Sequence, residues 1–297
     1  MRPVRQHFFF FLFVIASLLA FLVPIEQLIQ FAFSQDYGSH ILLIAPVSIL
    51  LVFLRRHEIF STSQTNSERK ASVAAGSSLL FLGLILLLLR NYSALQTVKF
   101  SLEILSLVVL WISGFVFCFG TSVFSRARFP LLFLLLLVPC PEVVIEKVIF
   151  ALQAGSSDVA YGLLKILNVP VLKEGFTLRL PRLDLEVAKE CSGIRSSIAL
   201  LVTVLVAGEF VLGSFWRKLL LVVSIVPILV LKNGLRIVAI YLLTAYVNPA
   251  FLHGWLHTSG GIVFYLLGLI VLIPVVSWLR RGESNNFKIS EIPELAR

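Results

Sequence analysis

Charge is scarce in this chain. Of its 297 residues only 14% are Asp, Glu, Lys or Arg, where a soluble domain carries about 25%. That shortage excludes a soluble enzyme, and it excludes a disordered tail, which needs charge to stay solvated. Cysteine is scarce as well. Cys118, Cys140 and Cys191 leave an odd thiol under any pairing, and so apolar a chain is not a disulfide-knit secreted domain. Cys118 lies inside an apolar run and reads as a small packing residue. No internal repeat and no low-complexity tract is present. What the chain has in quantity is apolar surface: 58% of the residues are hydrophobic and 25 are Phe. This is the composition of a polytopic membrane protein. Transporters, receptors and intramembrane enzymes share it, so composition alone leaves the function open.

Apolar runs fall at 8–29, 41–54, 71–89, 100–119, 129–149, 193–212, 219–241 and 262–279. At roughly 20 apolar residues per crossing these predict about eight transmembrane helices. Arg2 and Arg5 ahead of the first run imitate a signal peptide. The run exceeds the usual signal core and no Ala-x-Ala site follows, so an uncleaved first span is expected. The formal net charge is +9. The basic residues sit in short clusters between apolar runs, which reads as topology and lipid contact rather than nucleic-acid binding. With Arg2 and Arg5 in the cytoplasm, alternation places Arg55, Arg56, Arg69, Lys70, Arg126, Arg128, Arg217, Lys218, Arg280 and Arg281 there too. Arg90 and Lys99 are the mild exception. A multi-pass protein of the cytoplasmic (inner) membrane with both termini inside is predicted, as a single transmembrane domain over 1–281 and a polar cytoplasmic tail over 282–297.

The segment 139–190 breaks the pattern. After Pro139-Cys140-Pro141, positions 142–167 carry apolar residues at helical spacing with Glu146, Lys147, Asp158 and Lys165 between them. That spacing predicts a helix lying on the membrane surface. Positions 176–180 and 183–187 alternate apolar with polar residues around Pro181-Arg182, which predicts a two-stranded hairpin. The expected fold is therefore an all-α polytopic membrane protein with a small extracytoplasmic helix and β-hairpin before its sixth span.

Ionisable groups inside apolar spans are functional hypotheses, and four places carry them. Glu190-Cys191-Ser192-Gly193-Ile194-Arg195 opens the sixth span. On a helix Cys191 and Arg195 would share a face, and a nearby cation favours the reactive thiolate. The bland alternative is an inert cysteine beside an arginine that snorkels to headgroups. Lys232-Asn233-Gly234-Leu235-Arg236 lies in the seventh run. Arg236 follows Lys218 by 18 residues, about 27 Å of helix, which sets it near the outer surface. Here the alternative is an interfacial snorkelling pair. His253-Gly254-Trp255-Leu256-His257 precedes the last span. Its two histidines suit a metal by spacing, yet no third ligand follows usefully, and an interfacial loop is the plainer reading. Asp36-Tyr37-Gly38-Ser39-His40 reads as an ordinary outer turn. Independent counting puts Cys191, Arg236 and His257 at one depth. A thiolate that attacks, an imidazole that moves protons and a cation that steadies negative charge make a nucleophilic site.

These residues resemble the exosortase/archaeosortase family of membrane transpeptidases. The resemblance rests on Glu190 to Arg195, on Asn233-Gly234-Leu235-Arg236, and on His257 with Gly261 four residues later. The early turn with Pro46 and the Pro139-Cys140-Pro141 break are similar too. The resemblance covers about 36–281. It implies Cys191 as nucleophile, Arg236 as the cation and His257 as the third member, with Glu190, Ser192, Asn233 and Arg195 supporting. It implies no cofactor and no metal. Its substrates would be secreted proteins with a C-terminal sorting signal of the PEP-CTERM kind, made of a short motif such as Pro-Glu-Pro, a transmembrane helix and a basic tail. Cleavage at the outer face and transfer to an acceptor are implied, with a link to exopolysaccharide production. The hairpin before Cys191 could offer a strand edge to an extended substrate segment.

Two other classes stay open at this point. A non-enzymatic transporter or scaffold of envelope polysaccharide export would use Lys232 and Arg236 to line an anion pathway. A metalloenzyme would use His253 and His257.

Overall fold

The computed structural model describes residues 2–35, 37–61, 66–252 and 261–281. Among these, five helices are long and apolar enough to cross a membrane, or up to seven if each of two bent pairs counts as one span. The chain is an all-helical, multi-pass membrane protein apart from one small sheet. It divides into two compact units, Met1–Glu146 and Lys147–Arg297.

In the first unit, α1 (Arg2–Ala20) and α2 (Leu22–Ser34) form one bent pair, turned by 76° at Phe21. Next come α3 (Ile41–Leu54), the single turn α4 (Arg56–Ile59), α5 (Asn66–Leu89), α6 (Gln96–Phe119) and α7 (Thr121–Phe133). The run at 41–54 makes a helix of 14 residues, about 21 Å long and short of a full crossing. α6 is the centre of this unit, with 61% of its apolar window buried against 17% for α5. The two helices approach through small residues, as membrane helices do in the absence of a hydrophobic drive between them. Ser106 Oγ donates to Gly83 O at 2.8 Å and Ser113 Oγ to Gly76 O at 2.9 Å. Large apolar side chains such as Phe11, Phe81 and Phe33 point outward, a surface that suits hydrocarbon and not water.

After α7 the chain tightens into a 3-10 turn, Leu134–Leu137, and stops being helical at Val138, which is extended at φ −71°, ψ 117°. Proline disfavours a helical residue ahead of it and cannot donate a backbone hydrogen bond, so Pro139 accounts for the break. Ser101 Oγ from α6 donates to Pro139 O at 2.7 Å. Pro141 O then accepts from Val144 N and Ile145 N as α8 (Glu142–Ile166) starts.

In the second unit, β1 (Leu172–Glu174), β2 (Thr177–Arg179) and β3 (Asp184–Glu186) form an antiparallel meander in the order β1-β2-β3. The expected hairpin is present, with Leu178 opposite Leu185. An unexpected strand, β1, joins it through the two-residue turn Gly175-Phe176, where Gly175 takes φ +60°, as primed hairpin turns require. Beyond the sheet come α9 (Ile194–Val211), α10 (Phe215–Tyr246) and α11 (Gly261–Arg281).

α10 is 32 residues long and serves two cores. Its first half, with Leu221, Ile225 and Ile228, packs with Leu200 and Val204 of α9 and Leu272 of α11. Its second half, with Ile237, Ile240 and Tyr241, packs with Ala160 and Leu164 of α8 and with Leu178, Leu185 and Val187 of the sheet. Lys232, Asn233, Gly234 and Arg236 sit at the handover between the two cores, all buried.

Candidate active site

Gln153 of α8 donates to Val187 O at 2.8 Å, and Leu178 and Leu185 seat the sheet on α8 and α10. This fixes the strand that leads into the sixth apolar run. The chain then makes a 3-10 turn, Lys189–Ser192, containing Cys191, and crosses Gly193 before α9 begins at Ile194. Gly193 adopts φ +72°, ψ 18°, a left-handed conformation that costs other residues about 1 kcal/mol or more. A Cβ there would also lie 2.9 Å from Asn233 Oδ1. Conformation and space both demand glycine. The carbonyl of Gly193 accepts from Ser197 N at 2.9 Å, Ser197 Oγ at 2.8 Å and Ser196 Oγ at 3.0 Å. Ser192 is buried.

Cys191 therefore precedes α9 and is not on it. The helical spacing that would set Cys191 and Arg195 on one face does not apply, because the left-handed Gly193 intervenes. Arg195 itself is exposed.

α10 supplies the facing wall. Lys232 and Asn233 are each 3% exposed and Arg236 is 9% exposed, so this stretch is buried in protein and does not snorkel. Asn233 Nδ2 donates to Ser156 Oγ of α8 at 3.0 Å, and its Oδ1 lies against Gly193. Lys232 Nζ donates to Ser196 Oγ. A Cβ on Gly234 would lie 2.5 Å from Val159 Cγ1, so α8 packs closely on α10 at this glycine. Two sequence-distant motifs thus meet: the turn of Cys191 and the stretch that ends in Arg236.

The buried face of α8 had escaped the sequence reading. Gln153, Ser156 and Ser157 are buried polar residues at helical spacing, and two of them hold the strand and Asn233 in place. Their i, i+3, i+4 spacing is the signal in the sequence, and Asp158 lies on the opposite face of the helix. Asp36, His253 and His257 lie outside the described residues. In the first unit, Tyr37 and His40 flank the turn before α3. Burial pushes the His40 imidazole below its usual range, against the opposing pull of the Tyr37 and Leu136 backbone. Burial, and then the negative groups Glu142, Cys140 and Glu146, push the Tyr37 phenol up.

No curated protein and no solved structure matches the chain. The family model of the transmembrane exosortase matches residues 32–274, a stretch that holds the Gly193 turn, the buried Asn233–Arg236 wall and the α8 residues that brace both, and the chain belongs to that family.

Proposed function

We propose that this exosortase is a membrane-embedded cysteine transpeptidase with Cys191 as nucleophile, Arg236 as the cation and His257 as the proton carrier. The observation that carries the reading is the contact of Gly193 with Asn233, which brings the Cys191 turn and the Arg236 stretch together from positions some forty residues apart in sequence.

The chemistry runs in two halves. His257 takes the thiol proton, and the sulfur of Cys191 forms a bond to the scissile carbonyl carbon. The resulting oxyanion collapses, the C–N bond breaks, and the amine leaves with the proton from His257. A thioester then holds the substrate's acyl group. An acceptor nucleophile gives its proton to His257, bonds to the carbonyl carbon and displaces the sulfur. Arg236 supplies positive charge to the sulfur before attack or to the oxyanion after it.

The substrates are secreted proteins ending in a short sorting motif, a transmembrane helix and a basic tail. That arrangement would hold the motif at the outer face of the cytoplasmic membrane, the depth that about 27 Å of helix after Lys218 gives Arg236. The acceptor belongs to the envelope, with exopolysaccharide production the associated process. Glu190, Ser192, Asn233 and Arg195 support the site. Cys191→Ala abolishes processing of a co-expressed sorting-signal protein while the variant still inserts in the membrane at wild-type abundance. Normal processing by that variant rules the reading out and returns a transporter or scaffold as the explanation of the buried cations.

A further inference from the structure

Lys232 is a buried group that the proposed chemistry leaves unused. Its side chain is 3% exposed, and among the described residues no carboxylate pairs with it. Among the described residues, the charge acting on it is the like charge of Arg236, one turn along α10. Charged side chains at this depth are costly and are kept only where something is gained. Its stem runs beside α11 and α9: a Cβ on Gly268 would lie 3.5 Å from Lys232 Cδ and 3.3 Å from Leu200 Cδ2. The ammonium at its tip donates to Ser196 Oγ.

The direction of that bond matters. An ammonium can only donate, so it occupies a lone pair of the Ser196 oxygen, and the single Ser196 proton points elsewhere. It points at Gly193 O, 3.0 Å away. The chain from Lys232 N–H through Ser196 O–H to the Gly193 carbonyl has one polarity from end to end. A charged donor makes a bond about twice as strong as a neutral one, and in a low-dielectric interior each bond strengthens the next. A serine hydroxyl without that donor is free to rotate. Ser197 holds the same carbonyl from within α9, whereas the Lys232 chain ties it to a different helix.

We propose that Lys232 is a positioning residue for the nucleophile: acting through Ser196, it locks the left-handed Gly193 turn of α9 to α10 and so fixes the backbone that carries Cys191. This rests on the reading of Cys191 as the reactive thiol. The role demands charge for bond strength and a long side chain for reach.

The test uses the full chain with Cys118 and Cys140 replaced by Ala, so that Cys191 is the thiol left to label. Lys232→Met keeps the apolar stem and removes the charge. Exchanging an unpaired buried charge for an apolar group of similar volume tends to leave a protein as stable or more so. A purely structural lysine predicts a less stable variant. A positioning lysine predicts one that unfolds no earlier than the parent yet alkylates Cys191 about tenfold more slowly, and processes substrate about tenfold more slowly in kcat with KM within about twofold. Ser196→Ala leaves the ammonium without its acceptor, so it is expected to be both slow and less stable. Adding Lys232→Met to Ser196→Ala restores the stability without restoring the rate, and the two rate effects do not multiply. Ser196→Thr, which keeps the hydroxyl, stays within about threefold of the parent. Parental alkylation and kcat in Lys232→Met overturn the inference, as do rate effects of the two substitutions that multiply. If Lys232→Met does not accumulate, Ser196→Ala against Ser196→Thr carries the comparison, and equal rates in those two overturn it. Cys191 alkylation needs no substrate, so normal processing by Cys191→Ala would remove the reading of the nucleophile and leave the alkylation result to be judged separately.

Discussion

At the scale of single residues, two positions test the proposed site. Gly193 combines a positive φ with a neighbour 2.9 Å from its missing Cβ. Gly193→Ala forces Asn233 away from Ser156 as well as straining the turn. The expected loss is about 1–3 kcal/mol of stability, read as a lowered thermal midpoint in detergent, together with slowed processing. Arg236 is the second. Arg236→Ala is expected to lower kcat by about a hundredfold or more, the scale of losing one oxyanion donor. Arg236→Lys keeps a measurable part of the rate if the sulfur needs only charge, and falls to the level of Arg236→Ala if the oxyanion needs the guanidinium's fixed fork. His40 yields a pH effect. Burial holds its folded-state pKa below the unfolded value of about 6.5, so the unfolded chain takes up the proton first. The stabilisation is complete above about pH 6.5 and is lost as pH falls through the folded-state value. Thermal midpoints between pH 7.5 and 5 should fall in the parent and fall less in His40→Gln; equal slopes would show that His40 contributes nothing.

At the scale of elements, much was legible and the exceptions have physical reasons. The long apolar runs gave the helices, and Pro139-Cys140-Pro141 gave the break, since proline acts locally. The alternation at 176–187 gave β2 and β3. β1 escaped because Val171-Leu172-Lys173-Glu174 runs apolar, apolar, charged, charged and shows no alternation. By local propensity Asn233-Gly234 weakens a helix; its role is tertiary, because α8 needs the space at Gly234. Spacing could set Arg236 at a depth but could not say whether it faced lipid or protein. Contact with α8 and α9 decides that, and contact between distant segments is not written in the period of either one. Gly234→Ala tests the element directly. Its Cβ would stand 2.5 Å from Val159 Cγ1, so α8 and α10 must part or shift, at about 1–3 kcal/mol. A parent-like midpoint for that variant would mean that the two helices do not pack closely here.

At the scale of the whole molecule, the scarce charges divide into two populations. The basic pairs between apolar runs predict a cytoplasmic location for both termini and for the α9–α10 junction at Arg217 and Lys218. A fluorescent-protein fusion after Arg281 should fluoresce, and alkaline phosphatase inserted at Gly175 should be active; the reverse pair of results would invert the orientation and exclude an outward-facing site. The second population is buried at the handover on α10, and its consequence is mechanical. If α9 peels away from α10, the Lys232 ammonium loses Ser196 and faces hydrocarbon with no acceptor, a penalty of about 2.5 kcal/mol or more. Half-opened arrangements of α9, α10 and α11 are therefore sparsely populated. Pulled from one end, the three helices should leave the bilayer as a single rupture, and stepwise extraction would overturn this.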